Sequence, residues 1–160
     1  MRIETDIFEL AVQIEETIEK LNVKRLLLDG SGKLQRMMPQ SNQFPEFMDG
    51  IINTLKNKNI TAIYTNETPN LTGVVQLTDA GLSAGMDTVI LLRYVEIKSE
   101  MRKAISVLKI RGSNHDKEIR EVIINNKGVE IKLPFTEYSG ILSGNPTKTP
   151  SEAFLEAFKK

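Results

Sequence analysis

An α/β fold, in which parallel strands with flanking helices are extended by an antiparallel meander, is predicted by three observations. Up to Asn66, two amphipathic helical patterns alternate with two short apolar runs. A longer run, TVILLRYVEI at 88–97, is dense in β-branched and aromatic side chains. Three strand-like runs then follow with breaks too short for a crossover helix, which requires antiparallel pairing.

Taken in order, Ile7, Leu10, Ala11, Ile14, Ile18 and Leu21 recur at three- and four-residue steps, while Glu9, Glu15, Glu16 and Glu19 fall mostly off that stripe. This predicts a helix from Thr5 to Leu21 with Thr5 or Asp6 as its cap. In KRLLLDGSGK the apolar run stops at Asp29 before two glycines, the pattern of a strand buried on both faces and its exit loop. Residues 30–43 read as loop. Phe44 and Pro45 open a second helix with Phe47, Met48, Ile51, Ile52 and Leu55 as its buried stripe, ending near residues 57–59. NITAIYTN (59–66) is a short strand, and the polar residues, Pro and Gly through 73 form an irregular loop. After TVILLRYVEI, the runs AISVLKIRG, EIREVIINN and GVEIKL are strands, the last two joined through Asn126-Lys127-Gly128. A proline-marked tail and a short helix, PSEAFLEAFKK, follow.

Composition narrows the function classes. With 160 residues, 40% apolar and 26% charged, the chain suits one soluble globular domain with its own core. Lys plus Arg equals Asp plus Glu at 21 each, so no global field draws a polyanion, and nucleic acid is not indicated as a partner. The absence of Cys excludes disulfides and thiolate zinc sites. The longest unbroken apolar run, Val89 to Leu92, is too short for a membrane span, and MRIETDIFEL lacks a signal-peptide core. A cytoplasmic address is the expectation.

Asp29 stands at the carboxyl end of an apolar strand, where open α/β sheets place ligand chemistry. The pattern resembles a Walker B strand, whose Asp helps hold the Mg²⁺ of a bound nucleotide; an ordinary Asp-Gly turn reads the same way. The partner of such an Asp, a phosphate-cradling GxxxxGK[ST], occurs nowhere in the chain. SGNPTKT (143–149) imitates it but lacks the Gly before Lys148. Strand alternation puts Lys109 and Arg111 on one face, able to grip a polyanionic ligand or to guard an edge strand against aggregation. His115 lies beside Asp116, but with no second His and no Cys the pair makes no metal set, and no motif supports a nucleophilic scheme in which His115 serves alone. Thr65, Asn66 and Glu67 end the second strand and would project near Asp29 if the two strands are parallel neighbours, as functional groups or as loop caps.

The run TVILLRYVEIKSEMRKAISVLKIRGSNHDKEIREVIINNKGVEI resembles the carboxyl-terminal part of the KaiC family of RecA-type P-loop ATPases, most specifically in LLRYVE, MRKAI and KIRGSxHDKxIRE. Upstream, KRLLLDGSG resembles the family's Walker B strand and TDAGLSAGMDT its loop before the next core strand, so the likeness spans roughly residues 5–145. It implies a partial RecA-like core over 1–145, followed by a tail with a short helix over 146–160. In this family a hexamer binds ATP between subunits, with the phosphate loop on one side and a neighbour's cations on the other. The resemblance makes Lys109 and Arg111 those cations, with Ile110, Ser113 and His115 near the nucleotide and Lys103 another basic group approaching it. Clock members carry adjacent phosphorylatable Ser and Thr; Thr78 and Ser83 stand at matching positions, while Ala84 replaces the Thr.

The chain begins after the family's P-loop. In a RecA-type sheet the P-loop strand lies between the strands that NITAIYTN and TVILLRYV resemble, so those two either close up or leave a slot for another polypeptide. Unpaired backbone and apolar surface in such a slot predict a homo-oligomer or a P-loop-bearing partner chain. The expected function is to supply Asp29 and the neighbour-facing cations to an ATP and Mg²⁺ site, without hydrolysing ATP alone. The alternative is a non-catalytic interaction or oligomerisation module of the same descent.

Overall fold

A computed structural model describes residues 7–38, 43–67 and 85–150. The described residues fall into two compact units, one formed by residues up to Glu67 with Gly85 and Met86, the other from Asp87 onward.

The first unit runs α1 (Ile7–Leu21), β1 (Arg25–Leu28), α2 (Ser31–Met37), α3 (Gln43–Asn57) and β2 (Thr61–Tyr64). The apolar stripe of α3 explains its central place, because it splits between two clusters. Ile51 and Leu55 join Ile18 of α1 and Ile60, with Leu26 and Ala62 packed against them. Phe44, Met48 and Ile52 gather Leu28, Leu34, Met38 and Met86. Each buried side chain of this size stabilises by about 1.5–3 kcal/mol. Both long helices end alike: Asn22 (φ 49°) and Asn59 (φ 53°) take the left-handed conformation. Val23 N–H then donates to the Ile18 carbonyl at 3.0 Å, and Ile60 N–H to that of Leu55 at 2.9 Å. These closures satisfy helix-end carbonyls and aim the chain into the strands.

β1 and β2 pair in parallel, from Arg25 opposite Thr61 to Leu28 opposite Tyr64. Two expectations are corrected here. The strand at 25–28 is not buried on both faces: Leu27 is 64% exposed, as is its registered partner Ile63 at 61%. Helices cover only the face of Leu26 and Leu28, so the alternation hidden by an unbroken apolar run reappears in the burial. Residues 30–43 are not all loop either, since Ser31–Met37 is helical. Gly30 (φ 73°) turns the chain after Asp29, and Leu34 and Met38, four apart, pack against the α3 cluster.

The second unit contains β3 (Thr88–Ile97), β4 (Glu100–Ile110), β5 (Arg120–Asn125) and β6 (Gly128–Pro134), followed by β7 (Tyr138–Ser139) and β8 (Thr147–Lys148). β3 to β6 form one antiparallel sheet in chain order, and β7 pairs with β8. Lys98 (φ 54°) and Ser99 (φ 62°) make a two-residue hairpin turn in which both centres have positive φ, the twist such hairpins need. Val95, Ile97 and Ala104 bury one face of the sheet against Ile141, with Ile119, Phe135 and Tyr138 around them. On the opposite face Ile90, Leu92 and Tyr94 are exposed.

The α/β class holds, as a parallel pair and an antiparallel sheet that are separate sheets among the described residues. PSEAFLEAFKK beyond Pro150 and the loop over 68–84 lie outside the described residues. No helix among the described residues is long and apolar enough to cross a membrane.

Candidate functional site

The parallel register brings the ends of β1 and β2 together, and with them the polar residues that follow. Thr65 Oγ1 donates to Asp29 Oδ1 at 2.5 Å and accepts from Gly30 N–H at 2.8 Å. The Thr65 carbonyl accepts from both Ser31 N–H (2.9 Å) and Ser31 Oγ (3.0 Å), and Thr65 N–H donates to the Leu28 carbonyl at 3.0 Å. Asp29 is thus held in one orientation at the rim of the sheet. Asn66 approaches the same turn: a Cβ on Gly32 would fall 2.8 Å from Asn66 Oδ1, so a larger residue there would displace the Asn66 side chain. The expected proximity of Thr65 to Asp29 is observed. Ser31 was not singled out by the sequence, yet it is fully buried and bridges the two strand ends; its signal was a hydroxyl between two glycines directly after a strand.

The cationic segment is placed by the β3–β4 ladder. Tyr94 pairs with Lys103, whose Nζ lies 5.8 Å from the ring centroid, a cation–π contact. Simple alternation would put Lys109 on that same face. A bulge at Val89/Ile90 intervenes: Ile90 pairs with Val107 and Val89 with Lys109, so Leu108 is passed over. Lys109 consequently shares the face of Val89, opposite to that of Tyr94 and Lys103, while Ile110 pairs with Thr88. Arg111 lies one step beyond the strand, its N–H donating to the Asp87 carbonyl at 2.7 Å and its Nη1 3.8 Å from Asp87 Oδ1.

Ser113 is exposed in the turn that follows, and His115 is half-buried. His115 N–H donates to Asn114 Oδ1 at 3.0 Å, and its Nδ1 is buried with no hydrogen-bond partner among the described residues. Asp116 is committed elsewhere: it accepts from Glu118 N–H at 2.9 Å and from Arg120 Nε at 2.7 Å. The backbone hydrogen bond first, and Arg120 next, hold its carboxyl below the usual range. Thr78 and Ser83 lie outside the described residues.

A nucleotide-bound magnesium finds one matching group here, the oriented carboxylate of Asp29. Among the described residues no cluster of three or more acids or His could hold a metal by itself.

A parallel strand pair with flanking helices and a separate antiparallel sheet are consistent with a partial RecA-like α/β fold. The family described as ATPase: KaiC matches residues 2–134, and the chain belongs to that family. It is 41% identical over 138 residues to the circadian clock protein KaiC3 of Synechocystis sp., covering 86% of this chain and 27% of that protein. The circadian clock oscillator protein KaiC of Thermostichus vulcanus is 40% identical over 135 residues, 84% of this chain and 26% of the relative. The same figures hold for KaiC of Synechococcus elongatus. The chain spans about a quarter of the length of these relatives.

Proposed function

We propose that this chain supplies the Walker B carboxylate, Asp29, and the neighbour-facing cations Lys109 and Arg111 to an ATP site shared between subunits. The observation that carries the reading is the hydrogen-bonded placement of Asp29 by Thr65 at the carboxyl ends of two parallel strands. Asp29 would orient a water of the magnesium shell. Lys109 and Arg111 would meet charge developing on a transferring phosphoryl group, where a trans arginine contributes about 10³–10⁵ in rate. When bound, ATP with Mg²⁺ supplies the activated phosphoanhydride that such groups act on. These 160 residues contain no GxxxxGK[ST], so the phosphate cradle comes from another segment or chain and the isolated chain does not turn ATP over. Ser113 and His115 are proposed to border the nucleotide beside Arg111, and Lys103 and Ile110 to approach it from the sheet face opposite Lys109.

The test is reconstitution with a KaiC-family fragment that carries the P-loop and ends before the Walker B strand. Lys109→Ala with Arg111→Ala should abolish the rate gain of the assembly; unchanged turnover refutes the assignment. One observation favours a second reading, a non-catalytic interaction module: Ile90 and Leu92 leave an apolar stretch of one β3 face exposed. That reading predicts assembly indifferent to ATP, whereas the first requires assembly that ATP promotes.

A further inference from the structure

We infer that Asp87 is a positioning residue for Arg111, aiming the guanidinium toward the shared nucleotide site. The inference rests on the proposed function and assigns a role to a residue not among those proposed to meet the nucleotide.

Three features of the second unit carry it. The Arg111 N–H to Asp87 carbonyl bond, 2.7 Å, extends the β3–β4 ladder one step past the Thr88–Ile110 pair, so Asp87 and Arg111 stand directly across from each other. Residues so opposed share a sheet face and interact through their side chains; here Nη1 lies 3.8 Å from Oδ1. The bulge at Val89/Ile90 puts Lys109 opposite Val89, so Lys109, Arg111 and Asp87 all belong to one face.

The chemistry follows from that grouping. Two cations on one face repel each other, and Arg111 precedes Gly112, whose φ of 80° begins a turn. A carboxylate opposite Arg111 offsets the repulsion and narrows the rotamers of a long side chain that leaves the strand. Asp87 meets the guanidinium at Nη1, one nitrogen of a planar group that offers five donors in a fixed fork. The side chains of Arg111 and Asp87 are 56% and 59% exposed, which suits a tether open to a ligand rather than a buried lock. Orientation established before the substrate arrives acts on the chemical step, not on substrate affinity.

The experiment is a double-mutant cycle in the same reconstituted assembly, with ATP and Mg²⁺ as the probe. Asp87→Ala should lower kcat roughly 10- to 100-fold, the scale of a misplaced catalytic group, and leave KM nearly unchanged. Asp87→Glu should restore most of the loss and Asp87→Asn little of it. In the Arg111→Ala background, Asp87→Ala should have no further effect, because a residue acting only through another loses its influence when that other is gone. Losses that multiply, or a wild-type kcat in Asp87→Ala while Arg111→Ala is impaired, overturn the inference and leave the proposed function standing. An Arg111→Ala assembly with wild-type turnover overturns both.

Discussion

The two units are built from similar amounts of apolar sequence but bury it differently. In the first, α3 is sandwiched between clusters, so Phe44, Met48, Ile51, Ile52 and Leu55 are all buried from a single helix. In the second, Ile141 from the returning segment completes a cluster with Val95, Ile97 and Ala104 on one sheet face, and Val122 is buried on the other. A helix that contributes two rows of a core concentrates stability in a few residues. A sheet distributes it along the ladder, where cross-strand pairs each contribute about 0.2–1 kcal/mol.

This contrast is open to direct attack. Met48 is wholly inaccessible to solvent, and Met48→Ala should cost about 2–5 kcal/mol, with amide protection lost first in α3, β1 and β2. Ile141→Ala removes a comparable side chain from a cluster with fewer packed neighbours, so fewer contacts are lost, and a loss near the lower end of that range, about 2–3 kcal/mol, is expected. Denaturant melts with site-resolved hydrogen exchange measure both; a larger loss for Ile141→Ala would reverse the comparison. Acid should give the smallest effect. In the first unit Lys58, by hydrogen bond and charge, holds the Glu19 carboxyl below its usual value. In the second, Glu118 N–H and Arg120 do so for Asp116, and Lys132 and Asn125 for Glu130. A carboxylate with a depressed folded-state pKa stabilises fully above its unfolded value, and the gain is lost as pH falls through the folded one. Stability should therefore decline below about pH 4. Asp116→Asn should flatten that decline for the second unit, and an unchanged pH profile would show that the Arg120 contact carries no linkage.

The sequence read the long elements well because their signals are local. The helix ending at Leu21, the helix through Asn57 and the strand 88–97 each repeat one period long enough to be unambiguous. It missed α2, whose seven residues are too few to show a period and include a glycine normally taken as a breaker. It also misjudged the covering of Leu27, since three leucines in a row do not reveal how many layers lie over them. In the site, Asp29 and Thr65 were legible once parallel pairing was assumed. The Asp87–Arg111 pair was not, because cross-strand partners depend on turns and bulges that alternation along one strand does not encode.

The bulge in β4 bears on how this segment tolerates changes of length. Shortening a strand by one residue ordinarily inverts everything downstream. Removing Leu108 does not: Val107 remains opposite Ile90 and Lys109 opposite Val89, so the cations keep their orientation and only the local bend is lost. Cross-strand proton contacts in the deletion variant would report the unchanged pairing, and their replacement by a shifted set would refute it. Because β3 dictates the orientation of the cations, the spare residue beside them is free to come and go.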